Sequence, residues 1–254
     1  MSSARKRSRL LQLLATCWLL AGAGNAWAER ALAAVASNFV VPAELLAAEF
    51  ERATGHTVSI AAGATGKLYA QVVQGAPFDL LLAADAWRPE RLELEGRAVP
   101  GSRFTYAVGL LTLWSPRPDA FGEDPVGYLR AGRLRRLALA NPDLAPYGTA
   151  ARQVLEHLGL QAQLADKMVF AENIGQAHAM VDTGNADAGF LARAQVIGRP
   201  GSHWNVPVGM HLPIEQQAVL LRRAADNAAA TGFLGFLRTE AARGAMATAG
   251  YGLP

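Results

Sequence analysis

Between Ala31 and Glu95, short apolar runs alternate with helical patterns, and this rhythm constrains the fold more than any other feature of the chain. Ala31–Ala36 reads as a buried strand. Val41–Ala53 follows with Val41, Leu45, Ala48 and Leu46, Phe50, Ala53 at helical spacing. Pro42 falls in the first turn of that helix, where its missing N–H costs nothing, and Ser37 or Asn38 is available to cap it. Val58–Ala61 and Leu80–Ala84 read as further strands, Lys67–Gln74 and Ala86–Glu95 as further helices. Such alternation implies parallel strands with crossover helices on both faces.

The apolar run Phe104–Trp114, interrupted by Gly109, is long enough to pass from one sheet to another. The rhythm then restarts with strand Leu137–Ala140, helix Thr149–Leu158, strand Met168–Phe170, helix Gln176–Thr183 and strand Ala188–Ala192. A Gly/Pro-punctuated stretch, Gly198–Pro213, leads to a strand-like Ala218–Leu221 and a helical tail through Phe233, Phe236 and Leu237. The expected fold is α/β, with two doubly wound lobes joined by a hinge rather than one long sheet. Lobe I is expected over 29–106 and 208–254, lobe II over 107–207, with hinges at Thr105–Val108 and Asn205–Met210.

Ahead of the first strand, Arg5, Lys6, Arg7 and Arg9 precede an apolar run from Leu10 to Ala23 and then Ala26-Trp27-Ala28. A basic segment, a short apolar segment and an A-x-A site make residues 1–28 a cleavable secretory signal, so a periplasmic product is expected. The 254-residue chain carries a formal charge of +3, which taken alone hints at nucleic acid. Losing the four signal cations lowers Lys plus Arg from 24 to 20 against 21 Asp plus Glu, a net of −1. The basic excess belongs to the signal, and no nucleic-acid partner is expected. Cys17, the lone cysteine, leaves with it, so the mature chain needs no disulfide in an oxidising compartment.

Chemistry concentrates at the strand-to-helix turns. In open α/β sheets ligands collect beyond the carboxyl ends of strands, where helix N-termini present free N–H groups. The first turn reads Ser37-Asn38-Phe39-Val40-Val41-Pro42, the second Gly63-Ala64-Thr65-Gly66-Lys67-Leu68-Tyr69. Capping alone explains either one, since Ser, Thr and Asn are preferred caps; together they balance capping against an anion site. In the second half, Asn141 to Thr149 holds Tyr147 in a turn between Pro146 and Gly148, and Glu172-Asn173-Ile174-Gly175 opens another helix. The Gly63–Lys67 turn is not a nucleotide phosphate loop, because Ala61 and Leu68 stand where Gly and Ser/Thr are required. No G-x-S-x-G elbow or H-E-x-x-H zinc motif occurs, and the five histidines lack ligand spacing.

Taken in order, these segments resemble the periplasmic molybdate-binding proteins of ABC transporters, which have the type II periplasmic-binding-protein fold. The resemblance runs through Val35-Ala36-Ser37-Asn38-Phe39, Gly63 to Gln71, Gly75 to Asp85, and Asn141-Pro142 with Pro146-Tyr147-Gly148. It continues through Glu172 to Gln176, Thr183 to Phe190 and the closing Gly250-Tyr251-Gly252. It implies a tetrahedral oxyanion held between two lobes by Ser37, Asn38 and Thr65 on one side, with Tyr147 and the backbone N–H of Ile174 closing from the other. A second branch of the family takes its tyrosine from a later strand end, which here is Ala192, so the hydroxyl falls to Tyr147.

Molybdenum would be held only as the bound oxyanion, through those five residues, with no catalytic residue and no separate cofactor. The implied protein is not an enzyme: it is a monomer that binds molybdate or tungstate and hands it to the membrane permease of an ABC transporter. The alternative is a binder of sulfate or another small tetrahedral oxyanion on the same scaffold. An exported enzyme using Tyr147 or His178 lacks any nucleophile–base signature.

Overall fold

The computed structural model describes residues 28–254, so the expected signal, apart from Ala28, lies outside the described residues. The first repeat forms β1 (Arg30–Ala36), α1 (Val40–Thr54), β2 (Thr57–Gly63), α2 (Thr65–Val73), β3 (Leu80–Ala83) and α3 (Trp87–Leu94). After β4 (Phe104–Gly109) and β5 (Leu111–Ser115) comes α4 (Pro125–Ala131). The second repeat is β6 (Leu137–Ala140), α5 (Pro146–His157), α6 (Gln161–Leu164), β7 (Met168–Ala171), α7 (Ile174–Asp182) and β8 (Ala188–Ala192). The chain finishes through α8 (Arg193–Val196), β9 (Ser202–Asn205), β10 (Ile214–Leu220), α9 (Ala228–Phe236) and α10 (Glu240–Thr248).

Two five-stranded sheets result, ordered β2-β1-β3-β10-β4 and β7-β6-β8-β5-β9. β1 runs parallel to both β2 and β3, and β6 parallel to both β7 and β8, as the alternating pattern requires. Each sheet also carries one reversed strand, β10 in the first and β5 in the second, so both sheets are mixed. Central strands are covered on both faces, which explains their unbroken apolar composition: all four residues of β3 and of β6 are buried. Phe39, Phe50 and Phe233 anchor the core of the first lobe, and Trp114 and Phe190 that of the second.

The run Phe104–Trp114 does change sheets. β4 stays in the first sheet through Gly109, the passage is at Leu110, and the return runs through 206–213. Several boundaries differ from expectation. β10 starts at Ile214, not Ala218, because its polar half (Glu215-Gln216-Gln217) hides the strand from a hydropathy reading. Gln216 and Gln217 are both buried, and between them the register against β4 shifts by one residue, leaving Tyr106 unpaired. β9 lies inside the stretch read as irregular, α4 went unread, and Thr239 caps α10, splitting the tail into two helices.

Candidate functional site

The carboxyl ends of β1, β2, β6 and β7 face one another, and the turns leaving them build a single cavity. Ser37, Asn38, Thr65, Tyr147 and Ile174 all line it; the other lining residues are glycine, alanine and Pro146, none of them charged. α2, α5 and α7 each begin there, so three helix N-termini direct partial positive charge inward. The cavity measures about 10 Å³. Sites for organic solutes occupy roughly 300–1,000 Å³, so this one suits only a very compact ligand.

Capping does not explain the first two turns. The N-cap of α1 is Phe39 and that of α2 is Ala64, and neither helix start receives a side-chain cap. The Thr65 hydroxyl instead accepts the N–H of Ala84 at 3.1 Å, and the Ser37 hydroxyl accepts that of Gly175 at 3.3 Å from the opposite lobe. An oxygen engaged as acceptor leaves its own proton to be donated elsewhere, so both hydroxyls are set as donors.

Tyr147 is the second residue of α5, which starts at Pro146 rather than at the expected Thr149, and it is 1% exposed. Burial pushes its phenol well above the usual tyrosine range; Tyr251 and Tyr106 add to this and a hydrogen bond from Gln216 opposes it, so it stays a neutral donor. Asn173 is a true cap, its Oδ1 accepting the Gln176 N–H at 3.0 Å. With the Gly175 N–H on Ser37, the N–H of Ile174 at the start of α7 is the one left at the cavity.

Asn38 differs from expectation in a useful way. Its Nδ2 donates to Gln216 Oε1 at 3.0 Å and to the Tyr251 hydroxyl at 3.1 Å, and that hydroxyl donates to the Asn38 carbonyl at 2.7 Å. The side-chain N–H groups are therefore spent inside the protein, and Asn38 Oδ1 is a buried acceptor without a partner among the described residues. The backbone N–H of Asn38, lying between the engaged N–H groups of Ser37 and Phe39, is the donor this residue has to offer. Sequence reasoning did not single out Gln216, Tyr106 or Tyr251, which hold Asn38 and Tyr147 from behind; the Gly250-Tyr251-Gly252 segment carried the only signal. Ala192 is buried and not among the lining residues, nor is His178, which lies beside Arg199 and Trp114.

Contacts around the rim join the lobes. Gly66 N–H donates to Leu144 O at 2.8 Å, a close approach in which a Cβ would lie 3.0 Å from that oxygen and force the neighbour to give way. Lys67 Nζ meets Glu172 Oε1 at 2.9 Å, with side chains 51% and 38% exposed. An exposed pair contributes at most about 1 kcal/mol and is screened by salt. Lys67→Ala is therefore expected to weaken ligand affinity less than about fivefold, an effect vanishing in high salt, as titration at two ionic strengths will show.

Among the described residues no cluster of three or more His, Cys, Asp or Glu is placed to hold a metal ion, and no helix is long and apolar enough to cross a membrane. Residues 31–252 match the model of the bacterial extracellular solute-binding protein family. The chain is 47% identical over 221 residues to the molybdate-binding protein ModA of Rhodobacter capsulatus, covering 87% of each chain. It is 46% identical over 224 residues to that of Azotobacter vinelandii, covering 87% of this chain and 88% of the relative. The solved periplasmic molybdate-binding protein of Azotobacter vinelandii superposes with a TM-score of 0.85 at 42% identity, over 88% of this chain and 99% of that one. With its two-lobed α/β fold and a family match that runs from residue 31 to residue 252, the chain belongs to the bacterial extracellular solute-binding protein family.

Proposed function

We propose that this protein captures molybdate, and tungstate, between its lobes and delivers it to the permease of an ABC transporter. The observation that carries the reading is a cavity of about 10 Å³ lined by hydroxyls and helix starts with no charged side chain. Ser37, Thr65 and Tyr147 donate through hydroxyls, Asn38 and Ile174 through backbone N–H groups. A proton-free tetrahedral dianion needs donors only, whereas a protonated phosphate also needs an acceptor for its own proton. Sulfate satisfies the same donors, so neither charge nor protonation separates it from molybdate. The names carried by relatives at 46–47% identity support molybdate over that alternative. Molybdenum enters only as the anion, and capture requires no further cofactor.

The hinge of the reading is Leu110 together with 206–213, where the chain changes sheets. Rotation there admits the anion; closure on it stabilises the form that the permease recognises, by the difference in affinity of the two forms. The basic, apolar and A-x-A segments of residues 1–28 support export to the periplasm.

Calorimetry and thermal-shift titration with molybdate, tungstate, sulfate and phosphate test the reading. Stabilisation is expected to follow RT ln(1 + [L]/Kd), with molybdate and tungstate far ahead. Stabilisation by sulfate alone, or by none of the four, overturns it. Because burial holds Tyr147 protonated above its ordinary range and no carboxylate or histidine lines the cavity, affinity is expected to stay flat from about pH 6 to pH 9. A transition inside that window would assign a titrating group to the site.

A further inference from the structure

Gln216 is fully buried on β10, does not line the cavity, and yet touches a residue of each lobe that does. Its Oε1 accepts from Asn38 Nδ2 at 3.0 Å and lies 3.3 Å from the Tyr106 hydroxyl, while its Nε2 faces the Tyr147 hydroxyl at 3.5 Å. The polarity of this chain is forced from one end. The single proton of the Tyr251 hydroxyl goes to the Asn38 carbonyl at 2.7 Å, so the oxygen of that hydroxyl can receive only a donor from Asn38. Asn38 must therefore turn Nδ2 toward Tyr251 and Gln216, which leaves its Oδ1 without a partner. Facing that donor, Gln216 must present Oε1, and Nε2 is left pointing at Tyr147. A phenol oxygen that receives an N–H keeps its own proton for another acceptor.

Space around this junction is equally constrained. Gly109, the last residue of β4, sits where an added Cβ would lie 2.3 Å from the Tyr147 hydroxyl and 2.7 Å from Gln216 Nε2. Gln216 pairs with Ala107, two residues from Gly109 on the neighbouring strand. We propose that Gln216 is a positioning residue for the ligand, fixing the Tyr147 hydroxyl as a donor into the cavity and tying that residue of the second lobe to the Asn38 turn of the first. The proposal rests on the oxyanion reading of the cavity for its effect on affinity; its effect on the tyrosine does not.

The test is a double-mutant cycle in molybdate affinity, measured by calorimetry on Gln216→Met, Tyr147→Phe and the pair. Tyr147→Phe removes a charge-assisted bond and is expected to lower affinity roughly 10- to 150-fold. Gln216→Met is expected to lower affinity severalfold with Tyr147 present and clearly less in the Tyr147→Phe background, where only its tie to Asn38 is left to lose. Equal losses in both backgrounds, or no loss with Tyr147 present, overturn the proposal.

Gln216→Glu keeps the acceptor for Asn38 but places a second one against Tyr147, capturing its proton. It is expected to cost more affinity than Gln216→Met, and serves if the latter fails to fold; a smaller cost overturns the proposal. The tyrosine Raman doublet gives a ligand-free readout, taken as the difference between wild type and Tyr147→Phe. Gln216→Met should shift the Tyr147 contribution away from the acceptor state, and an unshifted doublet overturns the assignment. A wild type that binds none of the four anions overturns the oxyanion reading, while the Raman result still decides the role of Gln216.

Discussion

Replacing Ser37 and Thr65 together by alanine is expected to bring molybdate binding close to the limit of detection while the protein remains folded. Each hydroxyl already accepts a backbone N–H, from Gly175 and Ala84, and so has a proton to give to the anion. A hydrogen bond to a charged partner contributes about 1.5–3 kcal/mol, so the pair accounts for roughly 3–6 kcal/mol, or about 150- to 25,000-fold in affinity. The substitutions also orphan two N–H groups. That of Ala84 is buried and costs about 1–3 kcal/mol of stability, within the reserve of an ordinary domain. Calorimetry reads the first effect and thermal melting of the ligand-free protein the second. If melting falls and affinity does not, the hydroxyls serve only to bind backbone and the anion site lies elsewhere.

Phe39→Ala is expected to produce the largest loss of stability among changes near the site, about 3–5 kcal/mol, lowering the melting midpoint by roughly 6–20 °C. Phe39 is fully buried as the N-cap of α1, with ring centroids 4.7 Å from Tyr106 and 5.3 Å from Tyr251. These two tyrosines bear on Gln216 and Asn38, so the cavity created beneath them loosens the first turn as well as the core. Affinity is expected to fall with stability. Val41, two residues on, is 67% exposed, and Val41→Ala is expected to change stability by no more than about 0.5 kcal/mol. Comparable losses from both substitutions would mean that the aromatic cluster does not support the turn.

Elements with unbroken apolar runs were legible in the sequence, and those with polar interiors were not. β1, β3, β6 and β8 stand close to where hydropathy puts them, because both their faces are covered. β10 was half hidden, since Gln216 and Gln217 spend their amides on partners far away in sequence that no local pattern reveals. The site divides in the same way. The strand-to-helix turns alone leave capping and an anion site in balance; the family resemblance is what names Ser37, Asn38, Thr65, Tyr147 and Ile174, and the structure brings all five to one cavity. What each hydroxyl accepts could not be read, because Ala84 and Gly175 reach Thr65 and Ser37 only after the sheets and lobes assemble. Nor could the commitment of the Asn38 amide, which depends on residues 178 and 213 positions away.

The rim pair of Lys67 and Glu172 lies on opposite lobes, half in solvent and outside the cavity lining. Its bond adds little to closure, yet its separation must change whenever the lobes part. Two positions with those properties make a distance gauge: a donor and acceptor dye attached there would convert each capture event into a change in energy transfer. The molecule would then report free oxyanion in water optically, without a separate reagent and without disturbing the residues that hold the anion.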